Sequence, residues 1–151
     1  MLDDKDRDLL NLLQQNARLT AQQLAEHLHL SPSQCARRRQ RLEDEGYVTG
    51  YRATVDAARI GATVEGFVQI TMAAHSRDNA RDFVRLTERT GAIVGVWTLT
   101  GEADYMLRVF CADLAALNDL VQEVLLPHPA VARVQSQIVM ARLKADAPIE
   151  P

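Results

Sequence analysis

The spacing of apolar residues changes period once along the chain, and the change divides it. From Asp3 to Asn16, Leu9, Leu10 and Leu13 recur at helical spacing, and Asp3, Asp4 and Asp6 suit the positive end of the helix dipole. A second helix is expected from Thr20, where Thr20-Ala21-Gln22-Gln23 has the form of a capping box and Leu24, Ala25 and Leu28 face inward. It stops near His27–Leu28. A third starts at Ser31, in a second capping box, Ser31-Pro32-Ser33-Gln34, with proline at the first helical position. Cys35 and Leu42 fall on one of its faces, and Gly46 supplies the stop. Two capped helices a few residues apart predict a helix-turn-helix. Tyr47 to Val55 is β-prone, a wing or a strand leading out of the first domain. Asp56 to Gly61 reads as an ordered linker with a turn.

Beyond the linker the period falls to two. Val64 to Met72 predicts a strand with Val64, Gly66, Val68, Ile70 and Met72 on one face. A helix follows over 76–90, with Ala80, Phe83, Val84 and Thr87 inward. Ile93 to Thr100 and Tyr105 to Cys111 form a hairpin about Gly101-Glu102-Ala103-Asp104. Asp113 to Leu126 predicts a helix with Leu114, Leu117, Val121, Val124 and Leu125 inward, ended by Pro127 and Pro129. Val131 to Leu143 is a last strand, and 144–151 reads as a frayed tail. The order β-α-β-β-α-β is that of a ferredoxin-like domain. Helices would cover one face of its antiparallel sheet. The other face also carries apolar residues, and a second copy of the domain is the simplest cover.

Composition bounds the function. The chain has 151 residues, enough for two small domains, and no apolar stretch long enough to span a membrane. Its acidic start lacks the form of a signal peptide, so the expected location is the cytoplasm. Cys35 and Cys111 lie far apart and match no metal spacing. His27 and His29, two residues apart, diverge on a helix, and His75 and His128 stand alone. No phosphate-cradling glycine loop, nucleophile elbow or zinc-protease motif is present. No catalytic residue, metal or cofactor is expected.

Charge changes the picture by its placement. The net charge is −3, yet Ser31 to Leu42 holds Arg37, Arg38, Arg39 and Arg41 and no acid. A basic helix with short polar groups at its capped start suits double-stranded DNA. Arginine reaches phosphates or guanine edges, and helix-start amides hold a phosphate. An arginine cluster by itself is more often a solvated face; the two capping boxes and the short turn favour DNA.

Residues throughout the chain resemble the Lrp/AsnC, or leucine-responsive, family of regulators. They are Leu2-Asp3-Asp4-Lys5-Asp6, Leu19-Thr20, Leu24-Ala25, Leu30-Ser31-Pro32-Ser33, Arg37-Arg38, Arg41-Leu42-Glu43, Glu45-Gly46, Ile60-Gly61, Thr100-Gly101-Glu102-Ala103-Asp104-Tyr105 and Ser136. The resemblance implies an α+β protein: a winged helix-turn-helix over 1–61, then a ferredoxin-like effector-binding and oligomerisation domain over 62–151. It implies DNA contacts by Ser31, Ser33, Gln34, Arg37, Arg38 and Arg41. It implies an amino-acid effector in a cleft using Gly101, Asp104 and Tyr105, with Trp97 and Ser136 nearby. It further implies homodimers, paired sheet to sheet, that assemble into tetramers or octamers. Chemically, Gly101 permits a tight turn, Asp104 could hold an α-ammonium group, and Tyr105 and Trp97 offer apolar faces with polar tips. Simple hairpin chemistry accounts for Gly101 and Asp104 equally well, and core packing for Trp97. Arg39 stands where the family usually has an aliphatic residue, so it is expected to snorkel outward or pair with a carboxylate. Two other readings are an enzyme like sirohaem decarboxylase, which has a similar architecture and works on a tetrapyrrole, and an effector-independent architectural DNA-binding protein.

Overall fold

A computed structural model describes residues 1–73, 76–144 and 147–151. His75 lies outside them. The described chain forms two compact units, one of 1–54 with 143–151, the other of 55–142. The expected domain boundary, after residue 61, falls within the second unit.

The first unit is built on three helices: α1 (Asp4–Gln15), α2 (Ala21–Leu28) and α3 (Pro32–Asp44). The second and third have the caps expected from the sequence, and the first has one as well. Asp3, Thr20 and Ser31 accept from the amides of Asp6, Gln23 and Gln34, and all three are reciprocal capping boxes. Leu9, Leu10, Leu13, Leu24, Ala25, Leu28, Cys35 and Leu42 form its core. The β-prone stretch after α3 pairs with no strand, and Tyr47 and Tyr51 are exposed. Tyr51 is held through its side chain instead.

The tail, expected to fray with the second domain, packs on the first unit. The Gln14 amide donates to the Ile149 carbonyl and accepts from the Ile149 amide, both at 2.8 Å, pairing with that residue as a strand neighbour would. Arg7 donates to the main-chain oxygen of Pro151 at 2.6 Å. Alternation and capping patterns do not report such side-chain pairing with a distant backbone.

The second unit is a four-stranded antiparallel sheet in the order β2-β3-β1-β4, with β1 (Val64–Met72), β2 (Ile93–Thr98), β3 (Tyr105–Cys111) and β4 (Val131–Ile138). This is the ferredoxin-like topology. Strand β1 pairs with β3 so that Val68 faces Leu107 and Ile70 faces Tyr105, and with β4 so that Val68 faces Ser136. Alternation puts Val68, Ile70, Leu107 and Val109 in one core with Phe83, Leu117 and Leu125 from the helices. Strand β4 ends at Ile138, short of the expected 143.

Two helices depart from the simple 3.6-residue stripe. In α4 (Arg77–Arg89) Phe83 and Thr87 are buried and Leu86 packs on the core, while Val84, expected inward, is 40% exposed. The last helix begins as α5 (Leu114–Asp119) and continues as a π-helical segment over Leu120–Leu125, where the Leu126 amide donates to Val121. The wider turn brings Leu120 and Leu125, five apart, to the core together, and leaves Leu114 exposed.

The other sheet face carries Phe67, Met106, Phe110 and Trp97, all at least partly exposed, around a charged knot. Glu65 accepts from Arg108 at 2.8 Å and from Arg142 at 2.8 Å. The Trp97 ring lies over Gly95, where an added Cβ would sit 2.5 Å from it, so only glycine admits the ring there.

Replacing Gln14 with Ala removes both bonds to Ile149. At about 1 kcal/mol net for a bond of this kind, exchange of the Ile149 amide proton should speed up several-fold, with the amides of α1 unchanged. Unaltered exchange at Ile149 would show that Gln14 does not hold the tail.

Candidate functional site

Helix α3 begins where Ser31 caps it and Pro32 supplies the first turn's fixed φ. Gln34, Arg37, Arg38 and Arg41 follow at i, i+3, i+4 and i+7, so they lie along one stripe, with Ser33 beside its start. The sequence-predicted DNA contacts therefore share one surface, but they are not equally available. Ser31 and Gln34 are engaged with each other through the capping box, at 3.0 Å from the Ser31 amide to the Gln34 side-chain oxygen. Ser33 and Arg37 are exposed.

Arg38 and Arg41 are held by α1. Arg38 Nη1 donates to Asp3 and to Asp6, both at 2.7 Å, and Arg41 Nη2 donates to the second oxygen of Asp6. The Asp6 side chain is 1% exposed. It also accepts the Asp3 amide at 3.0 Å. Burial by itself would raise its pKa, but the Asp3 amide and the two guanidinium groups outweigh burial and hold it down to about 2.

Arg39 points to the other flank and meets a carboxylate, as expected from its position in an apolar seam. Its Nε donates to Glu43 at 3.0 Å and to the Tyr51 hydroxyl at 3.1 Å, and Nη1 donates to the Leu19 carbonyl at 3.2 Å. The Tyr51 hydroxyl donates in turn to Glu43 at 2.6 Å, and the guanidinium lies 4.9 Å from the Tyr51 ring centre. Arg39 thus joins α3 to the stretch after it and to the turn before α2.

The effector candidates do not converge within one chain. Gly101, at φ 118°, makes the turn that only glycine takes readily. The Asp104 carboxylate accepts the Met72 amide at 2.7 Å, and the Asp104 amide donates to Ile70 at 2.9 Å, so Asp104 ties the hairpin to β1. Tyr105 is buried with its ring 4.9 Å from that of Phe83, on the helix-covered side. Trp97 faces the opposite side, across from Met106. Ser136 sits on β4, separated from β3 by β1. Among the described residues no cluster of His, Cys, Asp and Glu is arranged to hold a metal, and no helix is long and apolar enough to cross a membrane.

Sequence reasoning missed Asp6, yet the signal was present. Asp6, Leu9, Leu10 and Leu13 stand at i, i+3, i+4 and i+7, so Asp6 occupies the apolar stripe of its helix. A carboxylate there requires cationic partners.

Residues 2–49 match the family model of a winged helix-turn-helix DNA-binding domain, and residues 65–149 that of the Lrp/AsnC ligand binding domain. The DNA-binding transcriptional activator DecR of Escherichia coli is 36% identical, over 99% of this chain and all of its own length. The leucine-responsive regulatory protein of Escherichia coli is 32% identical, over 95% of this chain and 87% of its own. A transcriptional regulator from Neisseria meningitidis, solved as a complex with L-Met, superposes with a TM-score of 0.94 at 33% identity, covering 99% of this chain and 96% of its own.

The Asp6 bonds have a pH signature. Its folded-state pKa of about 2 lies below the ordinary 3.8, so the ionised form stabilises the fold. That contribution is complete above about pH 4 and is lost as pH falls toward about 2. Asp6→Asn should therefore melt lower than wild type at neutral pH and lose less stability between those two pH values in thermal unfolding. A mutant that declines as steeply as wild type would remove Asp6 from this role.

Proposed function

The chain belongs to the Lrp/AsnC family of DNA-binding transcriptional regulators, and from that premise we propose that α3 reads double-stranded DNA while the sheet unit binds an amino acid that alters assembly or DNA affinity. The observation that carries the first half is the stripe of Ser33, Gln34, Arg37, Arg38 and Arg41 on a helix whose start is capped and exposed. Arg37 forms no ion pair among the described residues, and its free charge suits a phosphate. Ser33, with its hydroxyl and its backbone amide at the exposed helix start, suits another.

The effector half rests on the family's ligand-binding domain and on the L-Met complex of the Neisseria regulator. The hairpin of Gly101, Asp104 and Tyr105 is the proposed centre of the cleft. Trp97 and Ser136 lie away from it in a single chain, which fits a cleft completed only where copies meet. The apolar face of Phe67, Met106, Phe110 and Trp97 is the proposed surface for pairing two copies, and such pairs then assemble further. The binding is proposed to take place in the cytoplasm.

A gel shift of the full chain on its own upstream DNA, across a salt series with and without an amino-acid mixture, tests both halves. A specific, salt-sensitive shift altered by the mixture is expected; no specific shift under any condition would contradict the proposal. Arg37→Ala should weaken binding on all sequences and lower the slope of log affinity against log salt by about 1. An unchanged slope would remove Arg37 from the phosphate contacts. Asp104→Asn keeps an oxygen for the Met72 amide and loses the negative charge. It should melt close to wild type yet lose the response to the amino acid; a retained response would show that the Asp104 charge does not read the effector.

A further inference from the structure

Resting on the DNA-reading role of α3, we propose that Asp6, which is buried and touches no DNA, sets sequence specificity by fixing the orientation of Arg38 and Arg41. Its two oxygens divide between the two arginines, one to Arg38 Nη1 and one to Arg41 Nη2. Arg38 Nη1 is shared between Asp6 and Asp3, so both of its protons are committed. The Nε and Nη2 atoms of Arg38 have no partner among the described residues, and that edge is the fork that binds guanine O6 and N7 or two phosphate oxygens. A guanidinium held at one nitrogen by two carboxylates presents its other edge in one direction. An arginine on an unbraced helix must order its long side chain on binding, and bracing avoids much of that cost.

Charge separates this role from a merely supportive one. Asp3 and Asp6 carry two negative charges and Arg38 and Arg41 two positive, and Glu45 lies 4.0 Å from Arg41 as well, so the cluster has no net positive charge. Arg38 therefore adds little to the general attraction for phosphate, which falls to Arg37, and its contribution lies in geometry. Removing the Asp6 charge makes the surface more positive and loosens both guanidinium groups, leaving Arg38 held by Asp3 alone. Binding to unrelated DNA should then hold or tighten, while binding to the preferred sequence weakens. A defect of folding alone would weaken both together.

The test uses the full chain and two duplexes: one enriched from a random pool by the wild-type protein, and poly(dI-dC). For Asp6→Asn the affinity for the enriched duplex should fall about tenfold, a loss typical of one misplaced bidentate contact, with affinity for poly(dI-dC) equal or higher. Arg38→Lys keeps the charge and removes the fork. It should lose the same preference with an unaltered salt slope; if Asp6→Asn does not melt cooperatively, Asp6→Glu, which keeps the charge but displaces it by one methylene, should lose the preference in its place. A ratio of the two affinities that stays at the wild-type value in the folded variants overturns the proposal. A wild-type protein that enriches no sequence at all overturns the DNA-reading premise and this inference with it.

Discussion

A carboxylate sealed inside a three-helix unit has to be neutralised where it stands, and in this protein that requirement ties the first helix to the third. Asp6 lies in the apolar stripe of α1; it accepts the Asp3 amide, and its charged partners among the described residues are Arg38 and Arg41 of α3. Buried ion pairs contribute little net stability compared with apolar packing, but they are intolerant of other geometries. The opposite flank of α3 has a second polar joint, in which Arg39, Glu43 and Tyr51 connect it to the following stretch and to the Leu19 carbonyl. Between the two joints only Cys35 and Leu42 anchor the helix apolarly. Helix α3 is thus a lightly packed element held in rotation by charge, which leaves its outer stripe polar and exposed.

The sheet unit works under a different constraint. Its four strands have two faces and its two helical segments cover one. On the covered side a π-helical turn brings Leu120 and Leu125 to one core. On the other side, aromatic and methionine side chains stand around the Glu65, Arg108 and Arg142 knot. A mostly apolar face with one partly exposed charged centre suits a partner of matched shape better than open water. The hairpin between β2 and β3 is pinned to β1 by Asp104 at the same end of the sheet, so events at the turn are coupled mechanically to the strand through Met72 and Ile70.

Much of this was legible in the sequence. The two capping boxes and the switch of period from 3.6 to 2 located nearly every element, and the β-α-β-β-α-β order named the topology. What periodicity could not report was contact between distant side chains. Val84 and Leu114 were assigned inward because each extended an apolar stripe by one position; Leu86 and the π turn took those places. The tail was read as frayed because its partner is the side chain of Gln14, more than a hundred residues away. The acids that hold Arg38 and Arg41 lie in and before α1, more than thirty residues away, where no local pattern reports them. Tyr105 and Trp97 looked like partners at one cleft, whereas strand alternation puts them on opposite faces.

The central claim is that the guanidinium groups of α3 are fixed before DNA arrives and remain fixed on it. Side-chain nitrogen NMR of the arginines, in the free protein and in its complex with a preferred duplex, tests this most directly. The Arg38 and Arg41 guanidinium protons should be protected and distinct in both states, with Arg37 averaged in the free protein and slowed only in the complex. Averaged Arg38 and Arg41 signals in the free protein, sharpening only with DNA, would contradict the account, because the orientation would then come from the DNA and not from Asp6.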